Sequence, residues 1–126
     1  MANTNDIRRY FETVLAQYAN GKNIPLFVDN IGGERPETLY LTCHLLTAEN
    51  SNGVMCEWQK NGIFQVTAYF PLGESVDIID NQVQEIIDLF PPMSAVISVV
   101  GLPNRTGGQI VENRYCVVVS VQYAAY

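Results

Sequence analysis

The run from Gly62 to Phe70, GIFQVTAYF, alternates its side chains with a period of two, and that rhythm constrains the fold more than any other feature of the chain. A strand sends successive side chains to opposite faces. Phe64, Val66, Ala68 and Phe70 are therefore expected in the core, while Ile63, Gln65, Thr67 and Tyr69 line a second, mixed face. Two other segments behave alike. LYLTCHLL places Leu39, Leu41, Cys43 and Leu45 on one side and Tyr40, Thr42, His44 and Leu46 on the other. The last strand groups Tyr115, Val117, Val119, Val121 and Tyr123 against Cys116, Val118, Ser120 and Gln122.

Two segments follow a helical rhythm instead. Ile7, Phe11, Val14, Leu15 and Tyr18 recur at spacings of three and four, which predicts a helix over 4–19. Thr4 or Asn5 is its expected cap, and Asn20-Gly21 its expected stop. Val76, Ile79, Val83, Ile86, Ile87 and Phe90 mark a second helix, entered at Ser75 and closed by Pro91-Pro92. Ile24 to Val28 and Ala95 to Val100 read as short strands, the first at a sheet edge because of Pro25. TAENSNG and GLPNRTGG read as polar loops. Asn61-Gly62 is a strong hairpin signal, predicting a turn that joins VMCEWQ to the strand after it.

Both helices have an apolar face that must be buried, and so does the sheet. The economical arrangement is an α+β fold in which a mostly antiparallel sheet carries both amphipathic helices on one face. The length of 126 residues suits one domain over 1–126. The opposite sheet face is then either solvated or a subunit contact. Composition bears on that choice. Apolar residues make up 48% of the chain and charged residues only 16%, where about a quarter is usual. Protein interfaces are depleted in Lys, Glu and Asp, so oligomerisation accounts for the deficit; a surface of uncharged polar groups is the alternative.

The net charge of −6 argues against sequence-independent nucleic-acid binding, which needs clustered Lys and Arg. Only Arg8 and Arg9 are adjacent. MANTNDIRR lacks the apolar stretch of a signal peptide, and no run approaches the length of a membrane span.

Chemistry is sparse. Cys43, Cys56 and Cys116 are widely spaced, with no CxxC, and His44 is the only histidine; a thiolate zinc site needs closer or more numerous ligands. Cys43 and Cys116 are expected as buried thiols. Cys43 and His44 are consecutive on a strand and face opposite ways, which disfavours a dyad. Asp77, Asp80, Glu85 and Asp88 read as the solvated side of a helix. GLPNRTGGQ lacks the lysine of a phosphate loop, and GESVD lacks a nucleophile elbow. No catalytic, cofactor-binding or metal residue is assigned. The candidate contact residues are Met55 and Trp58 beside the KNG turn, Ile63 and Tyr69 on the mixed face, and Arg105 in the late loop. Aromatics and arginine are the residue types that anchor interfaces.

The order of segments resembles the tail-terminator-like and tail-completion proteins of long-tailed phages and prophages. It is carried by an N-terminal amphipathic helix, PLFVDNIGG, LYLTCHLLTAEN, NGIFQVTAYFPLGES, DIIDNQVQEIIDLF and RYCVVVSVQYAAY. Gly62-Ile63-Phe64-Gln65-Val66 and Pro71 with Gly73 match most closely. The resemblance implies a non-enzymatic, homo-oligomeric ring subunit, hexameric, without a cofactor. It would cap the head-proximal end of the tail tube, stop tube polymerisation and offer a surface to the head–tail connector protein. DNA would pass through the lumen only as a passenger. Its place would be the virion tail, assembled in the bacterial host cytoplasm. Another small tail-completion or connector adaptor is the alternative within this reading, and a ligand-binding or enzymatic domain the alternative outside it.

Overall fold

The computed structural model describes residues 4–28, 35–47, 60–94 and 97–125. Its elements run α1 (Thr4–Lys22), β1 (Leu26–Phe27), β2 (Tyr40–Thr47), β3 (Lys60–Pro71), α2 (Val76–Asp88), β4 (Ile97–Val99), β5 (Asn104–Arg105), β6 (Gln109–Val111) and β7 (Arg114–Ala125). The sheet order is β1-β2-β3-β7-β4, with β5 and β6 also paired to β7. Among the described strands only β1 and β2 are parallel; the other pairings are antiparallel. β4, β5 and β6 thus form one interrupted edge along β7, and the two-residue β1 forms the other. No described helix is long and apolar enough to cross a membrane.

The expected faces hold. In register, Leu41, Cys43 and Leu45 lie beside Ala68, Val66 and Phe64, which lie beside Val117, Val119 and Val121. All nine are buried. Ile7, Phe11, Leu15 and Ala19 of α1 and Ile79, Val83 and Ile86 of α2, with Phe90 just beyond it, close over that same face in one cluster. Phe11 ties the layers together: its ring stacks on Phe64 at 5.0 Å and meets Phe90 at 5.8 Å and Tyr123 at 5.6 Å. Burying a ring of this size contributes about 2–3 kcal/mol. Val76 was expected on the apolar face of α2 but is 68% exposed, because it stands at the first turn, beyond the edge of the cluster.

α1 passes its expected stop and ends at Lys22. Gly21 stays helical, and Asn23 takes the left-handed conformation at φ 57°. The Ile24 amide donates to the Ala19 carbonyl at 2.9 Å, and the Asn23 amide to that of Asn20 at 3.3 Å. This is the Schellman termination, which places an apolar residue just past the turn; Ile24 fills that role against the core. α2 begins after Ser75 as expected, although the Ser75 side chain makes no capping bond.

Asn61-Gly62 is not a turn. Both residues lie inside β3, paired with Ala124 and Tyr123 of β7. VMCEWQ lies outside the described residues. A tight hairpin does occur, at Glu112-Asn113, where φ is 50° and 62° and Val111 pairs with Arg114. Two successive positive φ values define the type I′ turn that suits a two-residue hairpin. The late loop is also less irregular than expected, since Asn104 and Arg105 pair with Ser120 and Val119.

Candidate interaction surface

With both helices on one side, no helix among the described residues covers the opposite face of the sheet. Its rows follow from the register. Leu46, Ile63 and Gln122 make one; His44, Gln65 and Ser120 the next; then Thr42, Thr67 and Val118; then Tyr40, Tyr69 and Cys116. Leu46, His44 and Gln122 are exposed, and Thr42, Ile63, Gln65, Thr67, Tyr69, Val118 and Ser120 are half-buried, whereas Tyr40 and Cys116 in the last row are buried. The surface is mixed, with hydroxyls and amides between apolar side chains.

Its last row is elaborated. Tyr40 and Tyr69 are directly opposed across β2 and β3, and their rings stack at 4.6 Å with planes 11° apart. Phe27 meets Tyr40 edge-on at 5.7 Å. The Arg35 guanidinium lies 3.9 Å above the Phe27 ring, and that of Arg114 lies 5.3 Å from the Tyr40 ring. Cations over aromatic faces are attracted by the ring quadrupole. Arg114 also donates to the carbonyls of Glu37 at 2.8 Å, of Thr38 at 3.0 Å and of Pro36. One planar side chain at the start of β7 therefore holds the segment leading into β2. Between this cluster and the β6–β7 hairpin, whose Val111 and Glu112 form one wall, is a cleft of about 340 Å³.

The electrostatics do not point to catalysis at this cluster. Burial, with help from Tyr69, pushes the Tyr40 phenol above its ordinary value, while Arg114 and Arg35 pull the other way. Burial likewise pushes the Cys116 thiol up, so it stays protonated at neutral pH and is a poor nucleophile. Cys43 is buried under the helices while His44, its neighbour, is exposed on the other face. What the surface can do is bind: the half-buried Tyr69 ring, held rigid by the buried Tyr40 beneath the stack, the exposed Arg35 and a polar surround are the makings of a protein contact.

The predicted contact residues separate. Tyr69 belongs to the aromatic row. Ile63 is on the same face three rows away, in a shallow hollow of about 320 Å³ with Val100 and Gln122. Arg105 is elsewhere, on the interrupted edge, paired with Asp80 of α2 at 3.0 Å. Met55 and Trp58 lie outside the described residues. Phe27, Arg35, Tyr40 and Arg114 were not singled out from the sequence. The available signal was the register: once β2 and β3 pair, Tyr40 and Tyr69 must meet.

One solved structure shares this fold along its whole length, with a TM-score of 0.75 at 20% identity, covering 99% of this chain and 97% of that one. At that identity the likeness concerns the fold and not the job. No curated protein matches the sequence. The family model described as phage tail terminator protein matches residues 6–123, nearly the whole sequence. The chain belongs to the phage tail terminator protein family, whose members are structural components of the phage tail.

Proposed function

We propose that this chain ends the tail tube. Copies form a closed ring, six in number, on the head-proximal end of the tube, stop further addition of tube subunits and present a fresh surface to the head–tail connector. The chain acts as one domain over residues 1–126, without catalysis, and is incorporated into the tail in the host cytoplasm. Among the described residues, the observation that carries this reading is the uncovered sheet face with its Tyr40–Tyr69 stack and flanking arginines. A face of mixed polarity with rigid aromatic anchors suits a protein partner better than it suits water. Ile63 and Tyr69 are its contact residues toward the tube, with Met55 and Trp58 as further contacts and Arg105 at the edge.

Termination needs only that one ring face reproduce a tube-subunit contact and that the other lack it. DNA passes through without being gripped. Lys22 is paired with Glu85, Arg105 with Asp80, Arg114 with backbone carbonyls and Arg35 with the Phe27 ring, so at least four of the seven basic side chains are engaged within the chain itself. The test is polymerisation of purified tube subunits with and without this protein, followed by electron microscopy with the protein gold-labelled. Short tubes labelled at one end support the reading. Tubes of unchanged length without end label overturn it.

A further inference from the structure

The two flanks of the molecule carry opposite charge. On one flank a groove of about 430 Å³ runs between α1 and the outer edge of β1. Arg8, Arg9 and Thr13 of the helix and Leu26 and Val28 of the edge line it, with Glu12 among them. On the other flank α2 stands beside the interrupted edge: Asp80 reaches Arg105 on β5. Asp77, Gln84 and Asp88 recur with Asp80 at helical spacing, so this stripe turns toward that edge. Asp77, Asp80 and Asp88 are all exposed. On the same edge β6 presents Ile110, 70% exposed, and Val111, 46% exposed.

The two edges also match in form and height. Among the described residues β1 pairs only with β2, and β6 only with β7, so each has one side of its backbone open. β1 pairs with Leu41 and Thr42, whose row partners reach β7 at Val117 and Val118. β6 meets β7 at Arg114 to Cys116, and β5 meets it at Val119 and Ser120. Seen along the strands, β1 is thus level with the gap between β6 and β5 on the far side.

We infer that the α1–β1 groove of one copy receives the β5–β6 edge and the acidic stripe of α2 from the next copy. The inference rests on the ring reading above and names the contact that builds the ring. Open strand edges can pair across chains. Leu26 and Val28 meet Ile110, which its register with Tyr115 places on the helix side of the sheet, and Arg8 and Arg9 meet the acidic stripe of α2. The occupant is a second copy because both halves of the complementary pair are on this one chain. The contact joins two different patches, which makes it heterologous, and such contacts give rings when the rotation closes and filaments when it does not. Edges at equal height add little climb per copy, which favours closure.

Charge reversal tests the contact. Arg8→Glu with Arg9→Glu reverses the charge on one flank; Asp77→Lys with Asp88→Lys reverses the other. In the second pair the loss at the helix start is offset by a gain at the helix end, because the macrodipole favours acids at the first and bases at the second. Sedimentation velocity, with and without tail tubes, reads assembly, and circular dichroism confirms that each variant is folded. The expected result is that each reversal weakens assembly by about tenfold or more and that combining all four changes in one chain restores it. Rings that persist in every folded variant, or a combined variant that stays dissociated, overturn this contact while leaving the ring reading standing. A wild-type chain that is monomeric even on tubes removes both.

Discussion

Gly62 of β3 lies directly opposite Tyr123 of β7, and the phenol of Tyr123 occupies the space that a Cβ on Gly62 would need. The Leu46 carbonyl crowds the same point from β2. A glycine inside a strand is therefore explained by close approach, not by a turn. Gly62→Ala is expected to cost about 1–3 kcal/mol, the range for overpacking a filled site, measured by urea unfolding. The Tyr123 hydroxyl is buried with no hydrogen-bond partner among the described residues. An unsatisfied buried hydroxyl carries a desolvation cost. Tyr123→Phe is expected to leave stability unchanged or to raise it by up to about 1 kcal/mol.

That pair also shows where sequence and structure part. The alternation in β2, β3 and β7 was legible because each core residue must face the helices. The helix faces were legible for the same reason. Asn61-Gly62 misled because a dipeptide suited to a type I′ turn also suits a strand where a neighbouring ring needs room. The true turn, Glu112-Asn113, was missed because glutamate seldom takes positive φ. The Arg114 anchorage joins residues 76 to 78 positions apart, and no local pattern announces such a contact.

Tyr18 links the helices. Its hydroxyl faces Oε1 of Gln82 at 2.9 Å and Oε1 of Glu85 at 3.0 Å. Burial first, then the bond to Glu85 and its charge, raise the phenol well above its ordinary 10.0. The unfolded chain then loses this proton at a lower pH than the folded one. The stabilisation is complete below about pH 10 and declines as pH rises through the folded value. Tyr18→Phe is expected to lose about 1 kcal/mol at neutral pH and to show a shallower decline above pH 10, read from melting temperatures across the alkaline range.

Arg114 serves three carbonyls with one rigid fork. Arg114→Ala is expected to cost about 1–2 kcal/mol and to loosen the segment before β2. Lysine keeps the charge but not the planar geometry, so Arg114→Lys is expected to recover less than half of that loss. Denaturant unfolding gives the energies, and amide hydrogen exchange over residues 35–40 reports the loosening.

The uncovered face separates function from stability. Ile63→Glu changes a half-buried position outside the helix-covered core, and its cost to folding is expected to be about 1 kcal/mol. Tyr69→Ala removes the stack on Tyr40, worth about 1 kcal/mol. Both variants are expected to stay folded and to lose tail-length control. A variant that keeps normal tails despite the charge at Ile63 would move the tube contact elsewhere on the molecule.

Termination of the tail tube is read from tail length. A long-tailed phage lacking its own terminator is supplied with this chain or with none, and the tails are measured by electron microscopy. Overlong tubes are expected without the protein, and tails of uniform, normal length, joined to heads, with it. Tubes that stay overlong with the protein bound along their sides or at the distal tip would contradict it.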